Sequence, residues 1–136
     1  MQLKARGGGR SGGEQPMKPH VRRVTAYIAA RLILREDFGS IYDLATGQNY
    51  SVGGTADDAT VDVYDYSCSC HISGSNSGSK YSLFHFGESA HITLILVSHK
   101  FKGFDFGSGS DFDGGVSGRA IQLYDSRDGQ FNRFSV

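Results

Sequence analysis

The sequence predicts an all-β domain of about ten short antiparallel strands, formed by five hairpin repeats of about twenty residues. Three observations support this prediction: an apolar–aromatic–polar triplet recurs five times, turn-forming residues follow each triplet, and apolar residues pair across the turns. The 136 residues are enough for one domain. An up-and-down barrel or a strongly curved sheet suits ten such strands. A parallel β-solenoid is the alternative.

The triplet places an aromatic ring at the same position of every repeat. The five copies are residues 41–43, 63–65, 83–85, 103–105 and 123–125. Their third residues are spaced by 22 residues and then three times by 20. Because the period is fixed and short, it indicates one structural unit that is copied along the chain.

Four residues that suit a type I turn follow each triplet, and a residue with positive φ is expected to close the turn. The closing positions are Gly47, Ser69, Ser89, Gly109 and Gly129. A turn of this length predicts which residues of the two strands face each other. The hairpin therefore has a defined register.

This register predicts the core face of the sheet. The pairs at the first triplet position are Ile41–Tyr50, Val63–Ile72, Leu83–Ile92, Gly103–Phe112 and Leu123–Asn132. Four of the five partners are apolar, so this face is predicted to be the core. Asn132 departs from the pattern, and its neighbours Phe131 and Phe134 suggest a register shift in the last hairpin.

The N-terminal segment differs from the repeats. Residues 1–20 are predicted to be a flexible, Gly-rich, basic arm, and residues 21–136 a single β-repeat domain. Residues 1–23 hold six bases and one acid (+5), and residues 24–136 hold eight bases and thirteen acids (−5). No aromatic residue lies between the bases of the arm, so nucleic acid is not an expected partner. Residues 21–36 fit either a helix or a strand.

The third triplet position carries four acids and one histidine: Asp43, Asp65, His85, Asp105 and Asp125. In a closed barrel these side chains would form an acidic rim suited to a cation or a basic ligand. An Asp before a turn also accepts hydrogen bonds from the backbone N–H groups that follow it. Turn capping is the interpretation that we favour, with His85 as the exception.

The middle triplet position defines an aromatic stripe, which consists of Tyr42, Tyr64, Phe84, Phe104 and Tyr124. Alternation places the stripe on the face opposite the core, where its cross-strand partners are Asn49, His71, His91, Asp111 and Phe131. Exposed rings flanked by His and Asp could bind a protein, a sugar or a small molecule. Alternatively, residues 21–36 lie across the stripe and bury it, or the sheet folds over it.

No metal or other cofactor is predicted. Cys68, Cys70, His71 and His91 are of the types that bind zinc or copper, but His71 points to the other face of the strand from Cys70. A disulfide between residues two apart is not expected either, so a reducing, cytoplasmic location is the default. Residues 107–115 lack the carboxylate spacing of a calcium loop. No apolar run is long enough to span a membrane.

These features predict a non-catalytic binding or interaction module that self-associates, or binds another protein, through the aromatic stripe. The second hypothesis is a barrel that binds a small ligand in its interior, where Gly39, Gly74, Gly103 and Gly114 would leave space. An enzyme ranks third, because the sequence contains no nucleophile elbow, phosphate-binding loop or metalloprotease motif.

Overall fold

The computed structural model describes residues 15–136, which form one helix and ten strands. Helix α1 spans Pro19–Leu34. The strands are β1 (Ser40–Asp43), β2 (Gln48–Ala56), β3 (Thr60–Asp65), β4 (Cys70–Ser77), β5 (Lys80–His85), β6 (Ala90–Val97), β7 (Lys100–Asp105), β8 (Ser110–Ser117), β9 (Ala120–Asp125) and β10 (Gln130–Ser135). Each strand pairs antiparallel with the next, and β1 pairs with β10 as well, which closes the sheet into a barrel. The predicted all-β barrel of hairpins is confirmed.

The first four hairpins have the predicted register, and the last hairpin has the same register as the others. Asn132 pairs with Leu123, so the expected register shift is absent and that expectation was wrong. The reason is that Phe134, two residues further on, lies on the same face of β10 as Asn132, so the regular register already buries its ring in the core. The Asn132 side-chain amide lies within hydrogen-bond range of the Leu123 carbonyl oxygen (3.4 Å).

Each of the five turns that follow the triplets ends on a residue with positive φ. Gly47, Gly109 and Gly129 have φ values of 70°, 76° and 68°, and Ser69 and Ser89 have values of 56° and 50°. A non-glycine residue in the left-handed region costs about 1–2 kcal/mol. The two serines adopt it because the four-residue turn requires this conformation at its last position.

Helix α1 lies inside the barrel. Pro19 occupies its first turn, and the N–H group of Arg35, at φ 56°, donates to the Arg31 carbonyl to end it. The helix contacts β1, β2, β6, β8, β9 and β10, and its residues 23–32 are all buried. A helix buried around its whole circumference needs small or apolar residues on every face, and Ala26, Ala29 and Ala30 meet this need.

This placement corrects one interpretation: the segment that could have covered the aromatic stripe is inside the barrel and does not lie across the outer face. Three of the four glycines expected to leave room for a ligand lie at close strand contacts instead. A Cβ on Gly74, Gly103 or Gly114 would lie about 2 Å from a carbonyl oxygen of the neighbouring strand. A Cβ on the fourth, Gly39, would meet no atom within 4 Å.

The last residues of the predicted arm pack on the barrel. The Gln15 N–H group donates to the Ser108 carbonyl (2.8 Å). The Met17 side chain is buried, and its N–H group donates to Asp125 Oδ2 (2.8 Å). Residues 1–14, which make up the rest of the arm, lie outside the described residues.

Candidate functional site

The acidic residues of the triplets line the inner side of the barrel rim at which the turns lie. One carboxylate oxygen of each Asp accepts a hydrogen bond from the backbone N–H group two residues further on. These bonds are Ala45 N to Asp43 (2.9 Å), Ser67 N to Asp65 (3.0 Å), Gly107 N to Asp105 (3.2 Å) and Arg127 N to Asp125 (3.0 Å). Each carboxylate thus caps the turn that follows it.

The second oxygens of two rim carboxylates face the start of α1. Asp125 Oδ2 accepts from the Met17 N–H group and lies 3.5 Å from Arg22 Nη1. Asp43 Oδ2 lies 3.3 Å from Arg23 Nη1. The positive end of the helix dipole lies at the same rim. The basic start of α1 therefore neutralises this part of the acidic rim, where a basic ligand would otherwise bind.

Two rim atoms differ from the rest. Within residues 15–136, Asp65 Oδ2 and His85 Nε2 are buried and make no hydrogen bond. His85 is only 1 % exposed. Burial lowers the pKa of His85, nearby His20 lowers it further, and the surrounding carboxylates, beginning with Glu88, oppose the shift. The imidazole of His85 is therefore neutral at pH 7.

A cysteine pair lies beside these atoms. Cys68 and Cys70 are joined by a disulfide, with Cα atoms 5.2 Å apart, so the expectation of no bridge was wrong. Ser69 between them has φ 56°, which folds the chain back and brings the two side chains together. The expectation assumed a regular strand, in which the backbone does not fold back in this way between the two cysteines.

The histidines near the cysteine pair are His20 and His85. One ring nitrogen of each lies within 4.8 Å of the Cys68 sulfur and of the other ring nitrogen. His71 instead lies on the outer face, where its Nε2 is 3.0 Å from Asp62 Oδ1. His91 also lies outside, with its ring 5.0 Å from that of Phe84.

The aromatic stripe runs around the outside of the barrel, and its rings are partly exposed. A second set of rings packs edge to face against it. The pairs are Tyr64–Tyr66 (4.9 Å), Phe84–Phe86 (4.9 Å) and Phe104–Phe106 (4.8 Å between centroids). Phe131 extends the set at Tyr124 (5.2 Å). We call the stripe, Tyr66, Phe86, Phe106 and Phe131 together the aromatic band.

Sequence reasoning missed the second set of rings. Tyr66, Phe86 and Phe106 occupy the first turn position after the triplet, and three aromatic residues at one repeat position are a visible signal. These residues and Phe131 are 61 %, 56 %, 57 % and 55 % exposed. They, rather than the stripe, present most of the accessible ring surface.

Polar residues border the band. His71 packs edge to face on Tyr64, with ring centroids 5.4 Å apart, and His91 packs on Phe84 in the same way. Asp111 is exposed and pairs across the strands with Phe104. Asp111 therefore places an exposed carboxylate beside the stripe on β8.

No protein-family model, curated protein or solved structure matches the chain. The fold and the site describe a closed ten-stranded antiparallel barrel with a helix in its interior and an aromatic band on its outer surface. Along residues 15–136, no helix combines the length and the apolar character that crossing a membrane requires.

Proposed function

We propose that this domain is a non-catalytic interaction module that self-associates through the aromatic band. The observation that carries the proposal is the exposure of Tyr66, Phe86, Phe106 and Phe131 on an otherwise largely polar outer wall. Exposed rings on successive hairpins, such as Phe86 and Phe106, are typical of an interaction site.

The free energy available from this surface favours a weak complex. Each of the four rings exposes roughly 100 Å², since about half of an aromatic side chain's area remains accessible. Strands β3, β5, β7 and β10 lie around the closed barrel, so one flat interface covers only about two of these rings on each copy. Covering two rings on each of two copies would contribute on the order of 10 kcal/mol at 25 cal/mol per Å². Association costs about 4–15 kcal/mol in lost rigid-body freedom and side-chain order. The difference is about 6 kcal/mol at most, which corresponds to a dimer with a dissociation constant of roughly tens of micromolar or weaker.

A second copy of this chain is the occupant that the properties of the molecule favour. The chain has a formal net charge of zero at pH 7, so two copies do not repel each other. The barrel is closed, which removes the free strand edges that would otherwise mediate pairing. Association must therefore use side chains, and the same band on both copies suits a two-fold interface.

The interior-ligand hypothesis has less support. Helix α1 occupies the space that such a ligand would need, and the described interior is lined by packed side chains.

Sedimentation velocity of the wild type and of the double variant Phe86→Ser/Phe106→Ser tests the proposal. We expect the wild type to shift from monomer to dimer as its concentration rises through about 1–100 µM. The double variant should remain monomeric, with little loss of thermal stability, because both rings are more than half exposed.

Val97→Ser provides the matched control. Val97 is 62 % exposed and lies on β6 outside the band, so this change removes exposed apolar surface without touching the rings. The Val97→Ser variant should dimerise like the wild type. A wild type that stays monomeric at 100 µM, or a dimer that the double variant retains, would contradict self-association through the band.

A further inference from the structure

Four side chains with metal-binding donor atoms converge at the inner rim of the barrel. His20 comes from the first turn of α1, Cys68 from the turn after β3, and His85 from the end of β5. Their donor atoms lie within 4.8 Å of one another. Cys70, at the start of β4, is bonded to Cys68, so its sulfur lies beside the same cluster.

The His85 imidazole supplies an independent observation. Its ring is 99 % buried, and Nε2 lacks a hydrogen-bond partner anywhere in the described chain. An unpartnered buried polar atom costs about 1–3 kcal/mol, and it calls for an explanation such as a bound ion. The Glu88 N–H group lies 3.2 Å from both the His85 carbonyl oxygen and His85 Nδ1. The bond to Nδ1 makes that nitrogen an acceptor, so the neutral ring carries its proton on Nε2, where this N–H group has no acceptor. A metal bound at Nε2 would move the proton to Nδ1, and the Glu88 N–H group would keep its bond to the His85 carbonyl.

His20 is oriented in the way that metal-binding histidines usually are. Its Nε2 lies 2.9 Å from Glu88 Oε2, and Glu88 Oε1 in turn lies 2.7 Å from Lys18 Nζ. A carboxylate that accepts the N–H proton of one ring nitrogen leaves the other nitrogen as the ligand and fixes the ring orientation. Nδ1 of His20 is therefore the nitrogen available for a metal.

We propose that His20, Cys68, Cys70 and His85 bind one Zn²⁺ ion when the two cysteines are reduced. Two thiolates and two imidazoles are a common donor set of tetrahedral zinc sites. In such sites neighbouring donor atoms lie roughly 3.5 Å apart, as bonds of 2.0–2.3 Å require. The donors of His20, Cys68 and His85 thus need to approach one another by only about 1 Å.

The redox state of the cysteines controls the site. A dithiol reductant gives two electrons and two protons to the Cys68–Cys70 disulfide, which yields two thiols, while the reductant becomes its own cyclic disulfide. Zinc binding then releases the two thiol protons to solvent as both sulfurs become thiolates. Oxidation to the disulfide removes two of the four ligands.

The bound ion would join three segments that are distant in the sequence. His20 belongs to the helix, whereas Cys68, Cys70 and His85 belong to the wall of the barrel. Zinc would therefore fasten the N-terminal end of α1 to neighbouring hairpins. The expectation of no metal arose because the sequence placed His71 and His91, rather than His20 and His85, beside the cysteines.

Zinc titration of the full chain tests the proposal. The protein is reduced with a dithiol, freed of reductant and metal under anaerobic conditions, and titrated with Zn²⁺ against a chromophoric zinc chelator. We expect one equivalent to bind and the melting temperature to rise with zinc concentration. Cobalt(II) in place of zinc should give the intense absorption of thiolate–cobalt charge transfer.

Single substitutions separate the proposed site from adventitious binding. Cys68→Ser and His20→Ala should each weaken zinc binding by more than about 100-fold, and Glu88→Gln, which alters a positioning residue, by about 10-fold. His91→Ala, on the outer face, should bind zinc as the wild type does. Circular dichroism establishes that each variant is folded.

Three results would overturn the proposal, two with the reduced protein and one with the disulfide form. One is a reduced, folded wild type that binds less than about a tenth of an equivalent of zinc at micromolar concentrations. The other is zinc binding that survives both Cys68→Ser and His20→Ala. The disulfide form of the wild type should bind zinc at least about 100-fold more weakly than the reduced form, and equal affinity would also count against the site.

Discussion

The guanidinium carbon of Arg23 lies 3.5 Å from the centroid of the Tyr50 ring, inside the barrel rim. Arg23 Nη1 also lies 3.3 Å from Asp43 Oδ2, and both charged side chains are about nine-tenths buried. The Tyr50 ring face and the Asp43 carboxylate thus compensate a cation that has left water. This arrangement fixes the first turns of α1 against β1 and β2.

Arg23→Ala should destabilise the domain by about 3 kcal/mol or more, because it leaves the Asp43 carboxylate buried without its cation. Arg35→Ala is the matched control, since Arg35 forms an ion pair of similar length with Asp58 (2.9 Å) in which both partners are exposed. That change should cost less than about 1 kcal/mol. Urea unfolding followed by circular dichroism measures both values, and similar costs would show that the Arg23 pair is not effectively buried.

Gly103→Ala should destabilise the barrel by about 1–3 kcal/mol or more through overpacking. A Cβ at this position would lie 1.9 Å from the Thr93 carbonyl oxygen and 2.6 Å from Phe112 Cζ, so the strands must move apart. Gly39→Ala serves as the control, since a Cβ there meets no atom within 4 Å. Thermal unfolding of both variants provides the comparison, and a Gly103→Ala variant as stable as Gly39→Ala would refute the close packing.

Gly129→Val should cost on the order of 1 kcal/mol or more, since Gly129 has φ 68° and a β-branched residue strongly disfavours this region. Space is not the cause, because a Cβ on Gly129 would meet nothing within 4 Å. Gly129→Asn separates the two effects, since Asn tolerates the left-handed conformation and should cost clearly less. Equal costs for Val and Asn in chemical unfolding would show that backbone strain is not responsible.

The fourth prediction concerns alkaline stability. Burial raises the pKa of the Tyr27 hydroxyl, and the bond from Arg31 only partly opposes this. Above pH 10 the unfolded chain therefore releases the Tyr27 proton more readily than the folded one, so stability is lost as pH rises toward the folded pKa. Tyr27→Phe should reduce the loss of unfolding free energy between about pH 9 and pH 11.

Tyr27→Phe also has a cost at neutral pH, about 1–3 kcal/mol, because the hydroxyl donates to the Phe38 carbonyl and accepts from Arg31 Nη1. The pH dependence, rather than the absolute stability, is therefore the readout. Tyr66→Phe is the control on an exposed ring and should leave the alkaline loss unchanged. Parallel pH curves for the wild type and Tyr27→Phe would contradict this prediction.

Local features determined most of the strand architecture. The triplets and turns defined the hairpin pairs, from Ile41–Tyr50 to Leu123–Asn132, because a turn of defined length fixes which residues face each other. The same alternation placed Tyr64, Phe84 and Phe104 outside the barrel. Tyr66, Phe86 and Phe106 carried a repeat signal as well, but their packing on the stripe depends on turn geometry that alternation along a strand does not describe.

The sequence by itself thus determined the repeat, the register and the two faces of the sheet, all of which arise from residues close together in the chain. Tertiary structure decided the rest. Residues 19–34 form a helix because the closed barrel surrounds them and has no free strand edge to pair with their backbone. In a helix the backbone N–H and C=O groups are hydrogen-bonded within the segment itself. Likewise, His20 meets Cys68 and His85 only because α1 enters the barrel at the rim of the turns, a contact between distant segments that no local pattern encodes.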